Sequence, residues 1–187
     1  MDIRCVVTGQ EASGKSIFVR DAPVAPVTLA LLPGFEFHQL WGSDSIVQLP
    51  SDGAAPQRSG YFPPMNGFRF GFWVMPPDAK SEVAPADLPA AFGELREKLP
   101  GMAEALEPKN PGMHTTDTVD FDVVISGEVY LELDDGSEVL LKAGDCVVQN
   151  GTRHAWRNRS QANCVIAVAL VGAARQHSGA ISPNRQD

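Results

Sequence analysis

Residues 128–158 read EVYLELDDGSEVLLKAGDCVVQNGTRHAWRN, and the turns in this stretch decide the fold. Glu128 to Leu133 alternates polar and apolar residues, the period of a strand with one buried face. Asp135-Gly136 has the chemistry of a tight hairpin turn, and 137–142 is its return strand. Ala143-Gly144-Asp145 turns again before Cys146-Val147-Val148-Gln149, and Asn150-Gly151 turns before His154-Ala155-Trp156-Arg157-Asn158. Upstream, Val123-Val124-Ile125 ends at Ser126-Gly127; downstream, 164–171 is an apolar run. Short strands at this spacing indicate a sandwich or a barrel.

The first third of the chain is also β-like and broken by turns. Residues 27–32, 35–41 and 45–49 are short extended candidates, and 51–66, rich in Gly, Pro, Ser and Asp, is a loop. In 68–75, Phe68, Phe70, Phe72 and Val74 alternate, which predicts a strand with those residues in the core and Arg69 on the surface. ADLPAAFGELREKLPGMAEALEP is the one helical stretch; Asp87 caps it, Pro89 sits in its first turn, and Pro100-Gly101 interrupts it. The organisation read from this is a β extension over 1–85 that packs on or completes a barrel, a helical linker over 86–110, a core over 111–173 and a flexible tail over 174–187.

GQEASGKS at 9–16 fits the phosphate-cradling pattern G-x-x-x-x-G-K-[ST]. That loop must open a helix whose N-terminal amides hold the phosphates. Here Ile17-Phe18-Val19 favours a strand, and Pro23 and Pro26 would stop any helix within two turns. The stretch is read as a hairpin loop, and no nucleotide is expected.

The chain has 187 residues, 43% of them hydrophobic, enough for one domain with a sizeable core. Its net charge of −8, with no run of Lys and Arg, argues against a nucleic-acid partner. Cys5, Cys146 and Cys164 lie far apart without a CxxC, so neither a disulfide scaffold nor a structural zinc site is expected; Cys146 and Cys164 sit in apolar runs and read as buried thiols. No signal peptide and no membrane-spanning run is legible, so a cytoplasmic location is expected.

Two clusters carry candidate chemistry, His114-Thr115-Thr116-Asp117-Thr118-Val119-Asp120 and 144–158. Together they resemble the two motifs of the cupin superfamily. His114, Thr116, Asp120 and Gly127 stand at the positions of H-x-H, E and G in the first motif; Gly144, the Asn150-Gly151 turn, His154 and Asn158 match the second. Thr116 replaces the second His and Asp120 the Glu, and His154 comes one residue early. The resemblance covers about 111–172 and implies an all-β jelly-roll barrel, commonly paired as a homodimer. It also implies a divalent metal held by His114, Asp120 and His154, with Fe, Mn, Zn or Ni as the ions such a set suits. Thr116 and Asn158 would orient the imidazoles. Trp156 is read as packing at the barrel mouth or as a stacking wall for a ligand. Arg157 is read as forming a surface ion pair or as an anchor for a carboxylate substrate. Asp117 faces solvent, while Asp122, on the alternation of Asp120, points to the cavity. Tyr130 belongs to the core; His38 and His177 are surface residues.

Three functions follow. The first is a metal-assisted enzyme of dioxygenase, decarboxylase or lyase type acting on a small apolar or aromatic acid through His114, Asp120 and His154. The second is a metal-free acid–base dehydratase, isomerase or cyclase using the same catalytic residues. The third is a ligand-binding or sensor protein without catalysis.

Overall fold

A computed structural model describes residues 2–81 and 85–176. Strands β1 (Arg4–Gln10) and β2 (Ser16–Pro23) form a hairpin of their own. GQEASGKS is its loop: the Glu11 N–H donates to the Lys15 carbonyl, the Gly14 N–H to the Glu11 carbonyl, and Gly14 takes a φ of 84°. Ser16 opens a strand rather than a helix, so these amides have no helix N-terminus behind them.

The chain continues through β3 (Val27–Leu29), β4 (Leu32–Ser43) and β5 (Phe68–Met75). Three short helices follow, α1 (Asp78–Ser81), α2 (Leu88–Lys98) and α3 (Met102–Ala105). The remaining strands are β6 (Thr118–Ser126), β7 (Glu128–Glu132), β8 (Glu138–Lys142), β9 (Cys146–Asn150), β10 (Ala155–Arg157) and β11 (Cys164–Gly172). An antiparallel six-stranded sheet runs β3-β4-β5-β11-β6-β9 and faces a three-stranded sheet β10-β7-β8. Met75, Val124, Ile166 and Val168 from the large sheet pack against Val129 and Leu141 from the small one. The result is the all-β jelly roll expected from the turns. The Asp135-Gly136 turn is tight as read, with both residues at positive φ.

A second core closes one end. The Asp87 carboxylate accepts the Ala90 N–H at 3.0 Å and starts α2, whose Leu95 is fully buried with Leu99 against Leu29, Phe37 and Tyr61. Gly101, at φ 89°, breaks the helix and lets Met102 of α3 join the same cluster. Burying side chains of Leu95 type stabilises by about 2 kcal/mol each.

Several local expectations are corrected. β5 keeps Val74 in the core as expected but reverses Arg69 and Phe70: Arg69 is 6% exposed and Phe70 41%, against 3% for Val74. Arg69 can be buried because its guanidinium donates to the carbonyls of Ser43, Phe68 and Gly60 and to Asp44 Oδ1 at 2.5 Å, leaving the charge paired and hydrogen-bonded. His38 is buried, not on the surface; its Nδ1 lies 3.0 Å from the Val24 carbonyl and its Nε2 3.1 Å from Glu36 Oε2. Residues 45–49 form no strand. Cys164 is buried as expected, whereas Cys146 is exposed on β9. Tyr130 is half-buried, with Arg159 over its ring. His177 and most of the expected tail lie outside the described residues.

The outer face of the large sheet is apolar. Phe70, Ala169, Phe121 and Val148 stand side by side in register across β5, β11, β6 and β9, and Phe70, Phe121 and Val148 are each more than 40% exposed. The flanking rows, Phe68-Val171-Val119-Asn150 and Phe72-Ala167-Val123-Cys146, are uncharged as well. Among the described residues no helix is long and apolar enough to cross a membrane.

Candidate active site

β6 sends Thr118, Asp120, Asp122 and Val124 to the barrel interior, because residues two apart on a strand share a face. Asp120 pairs across the sheet with Leu170 and Gln149, and Asp122 with Val168 and Val147, so Asp122 lies between two apolar residues and Asp120 between an apolar residue and an amide. They are 5% and 3% exposed, and Oδ1 of each is buried without a hydrogen bond among the described residues. Burial raises Asp120 to about 6, against a hydrogen bond from Thr118 that favours the ionised form. Burial, with the charge of Asp120 beside it, raises Asp122 to about 8. At pH 7 the pair therefore splits its protons: Asp120 is largely ionised and Asp122 keeps its own.

The two histidines form a second pair. His114 and His154 exchange backbone hydrogen bonds, N–H to carbonyl, at 2.9 and 3.0 Å, which sets them opposite each other on facing segments. Their ring centroids are 4.2 Å apart. His114 Nδ1 lies 3.0 Å from the Gly112 carbonyl and His154 Nδ1 2.9 Å from the Thr152 carbonyl. A carbonyl only accepts, so each Nδ1 carries the proton and each Nε2 the lone pair. Burial lowers the pKa of both rings, His154 to about 4 with His114 adding to the effect, so both are neutral at pH 7. Trp156, two residues on from His154 along the same face, meets that ring edge-on at 6.1 Å.

His114 and Trp156 open on a cavity of about 170 Å³. Phe35, Phe62, Trp73 and Met75 form much of its wall, and α3 and Leu106 border it. Tyr61 lines it too. Its hydroxyl accepts the Trp73 Nε1–H at 2.6 Å, and burial raises its phenol far above the usual value, with Asp120 and Asp122 pushing the same way.

Two neutral imidazoles with Nδ1 tied to carbonyls are oriented as metal-ligating histidines are. The third ligand is missing from their company: among the described residues no three His, Cys, Asp or Glu side chains gather to hold an ion. Thr116, where the second His of the motif would be, is buried with its hydroxyl 2.8 Å from that of Thr118. Asn158 holds the Met75 and Ala162 carbonyls rather than an imidazole. Of the expected set His114, Asp120 and His154, the two histidines stand ring to ring and Asp120 stands beside Asp122.

Asp117 is exposed and bound to Arg175, and Arg157 pairs with Glu132 at 2.6 Å. Asp122 proves to be the equal partner of Asp120. Its signal was the alternation Asp120-Phe121-Asp122-Val123, which puts two carboxylates on one face of an otherwise apolar strand. Tyr61 had no such signal, because it belongs to the aperiodic 51–66 loop.

A family model described as a cupin domain matches residues 104–171. Phomopsin biosynthesis cluster protein C' of Diaporthe leptostromiformis is 54% identical over 48 residues, 26% of this chain and 25% of that protein. Oryzines biosynthesis cluster protein J of Aspergillus oryzae is 55% identical over 51 residues, 27% of this chain and 28% of that protein. The match thus spans about a quarter of the length of these curated relatives. Among solved structures, the Cnp3 cupin domain of Schizosaccharomyces pombe aligns with a TM-score of 0.46 at 11% identity, covering 91% of this chain and 87% of that one. A predicted oxalate decarboxylase from Thermotoga maritima aligns with a TM-score of 0.42 at 14% identity, covering 80% and 93%.

Proposed function

This chain belongs to the cupin superfamily through residues 104–171, and from that premise we propose that it is a metal-free acid–base enzyme acting on a small apolar or aromatic molecule in the barrel. The observation that carries the reading is the buried pair Asp120 and Asp122, held at different protonation states by their surroundings. Two carboxyls with separated pKa values supply a base and an acid at one pH. The pair adjoins the cavity through Tyr61, which lines it and whose phenol both carboxylates push upward; with the substrate seated past that ring, Asp120 would take a proton from carbon and Asp122 would give its proton to a second atom of the same molecule. Returned to another carbon, that proton completes an isomerisation; given to a leaving hydroxyl, it releases water and completes a dehydration. His114, neutral at pH 7 and on the cavity wall, accepts a hydrogen bond through Nε2 and orients the substrate, with His154 packed against its ring. The names of the matched relatives assign them to biosynthesis clusters, and we read this chain as serving small-molecule biosynthesis too.

The reading includes a homodimer. The net charge is −8, so two copies repel except where they meet through uncharged surface. The face bearing Phe70, Phe121 and Val148 is such a surface.

The test is proton exchange. Small aromatic ketones and aldehydes are incubated with the protein in D2O with a chelator, and deuterium entry beside the carbonyl is followed by NMR. The proposal expects exchange above background that is lost in Asp120→Asn and Asp122→Asn. Exchange that requires added iron, zinc, manganese or nickel would overturn it in favour of the metal-assisted reading.

A further inference from the structure

We infer that the cavity takes an uncharged single-ring phenol, whose hydroxyl donates to Nε2 of His114. The inference rests on the reading of the cavity as the substrate site and adds the ligand's charge state, its size and its anchor.

Three observations carry it. The first is a free acceptor on the wall. His114 Nδ1 donates to the Gly112 carbonyl at 3.0 Å, so the lone pair of the neutral ring sits on Nε2. An imidazole even at its ordinary 6.5 is mostly neutral at pH 7.4, and burial moves His114 further that way. Nε2 has no hydrogen bond among the described residues. Nor is it enclosed: the buried side-chain atoms left without a partner there are Asp120 Oδ1, Asp122 Oδ1 and Trp156 Nε1. His114 is half-buried and lines the cavity, so its unbonded acceptor is open to an entering donor. His154, 2% exposed, packs behind it with ring centroids 4.2 Å apart and fixes the ring's orientation. The two indoles on the wall offer a ligand nothing, because the Trp73 N–H goes to the Tyr61 hydroxyl and the Trp156 N–H is enclosed. A ligand that meets His114 must therefore bring a donor. A hydroxyl does so, whereas a ketone or ether oxygen only accepts.

The second is charge. Among the described residues no Lys, Arg, Asp or Glu lines the cavity. The arginines nearby are engaged: Arg153 with Glu107 and Asp134, and Arg157 with Glu132 and the Pro111 carbonyl. A carboxylate ligand would meet no cation, and its own lone pairs would face that of His114. An ammonium could donate to His114 but would bury its charge without a carboxylate to meet it. The sequence led to the expectation of an acid; the lining favours a neutral molecule.

The third is size and shape. An apolar cavity of roughly 150 Å³ admits benzene, so about 170 Å³ takes one ring with a small substituent. The wall of Phe35, Phe62 and Trp73 suits a flat apolar body. A phenolic hydroxyl lies in the plane of its ring and keeps the ligand flat. It is also a stronger donor than an alkyl alcohol, which suits a single bond to an imidazole nitrogen.

The experiment titrates phenol, toluene and benzoate into the protein at pH 7.4, in the parent and in His114→Leu, with the imidazole nitrogen resonances as a second readout. Toluene has the shape of phenol without the donor, and benzoate carries the charge. Phenol should bind at least tenfold tighter than benzoate. The ratio of phenol to toluene affinity should fall at least fivefold in His114→Leu, since phenol alone loses a hydrogen bond there. The resonance of the unprotonated His114 nitrogen should move upfield with phenol and not with toluene. If the variant does not fold, that movement in the parent decides. Absent binding of phenol, benzoate binding as tightly as phenol, an unchanged ratio in the variant, or imidazole resonances unmoved at saturation would each overturn the inference. Binding is read here without turnover. Absent exchange in D2O with these results intact would remove the acid–base reading and leave this one standing.

Discussion

Replacing Asp122 by Asn should flatten the pH dependence of stability above pH 6.5. Asp122 is raised from an ordinary 3.8 to about 8 by burial and by Asp120 beside it. The folded protein therefore holds a proton that the unfolded chain has already released. Stability falls with rising pH wherever the native state binds the extra proton. For Asp122 the fall runs from near pH 4 to about pH 8 and then stops. His154, lowered to about 4, acts in the opposite sense but only up to its unfolded value of 6.5. Asp120, at about 6, has completed most of its change by then. The window from pH 6.5 to 8.5 isolates Asp122, and about 1.5 units at 1.36 kcal/mol each give a loss of about 2 kcal/mol in the parent. Asn has nearly the same shape and no proton to lose. Urea unfolding at pH 6.5 and 8.5, followed by tryptophan fluorescence, should show that loss in the parent and less than half of it in Asp122→Asn. Parallel dependences in the two proteins would refute the raised pKa and, with it, the reasoning from burial.

Leu95→Ala should destabilise by about 3 kcal/mol in the same assay, because it empties a fully buried position under α2 where the barrel end is closed; a change below 1 kcal/mol would mean that α2 is not part of the folded core. Phe121→Glu, on the apolar outer face, should convert a dimer to a monomer in analytical ultracentrifugation with little change in unfolding midpoint; a monomeric parent would contradict the pairing proposed for this face. Gly172→Ala should destabilise by more than 2 kcal/mol, since a Cβ there would overlap the Pro64 carbonyl; a neutral result would show that the 60s loop moves aside.

The β-rich half of the fold was legible because its turns are chemically explicit. Asp135-Gly136 and Asn150-Gly151 both adopt, at Asp135, Gly136 and Gly151, the positive φ that such sequences favour, and the alternation between them sets the strands. β5 was legible as a strand but not by face. Alternation pointed Phe70 to the core, yet the carbonyls of Gly60 in the loop and Ser43 at the end of β4 offered Arg69 enough acceptors to be buried there instead. That compensation comes from residues far along the chain, which periodicity does not sense. The histidine pair was legible through motif spacing. The closeness of Asp122 to Asp120 was legible only as a shared face, since alternation says which residues face one side and not how strongly their charges meet. His38 escaped for a similar reason: its partners, the Val24 carbonyl and Glu36, carry no sequence pattern.

The most direct test of the central claim is a carboxyl-carbon NMR titration of protein labelled at aspartate, with Asp120→Asn and Asp122→Asn for assignment. The account predicts two aspartates that titrate late, one with a midpoint near 6 and one near 8, unaltered by a chelator. Midpoints near 4 for both, or late titrations that collapse once a divalent metal is added, would contradict it.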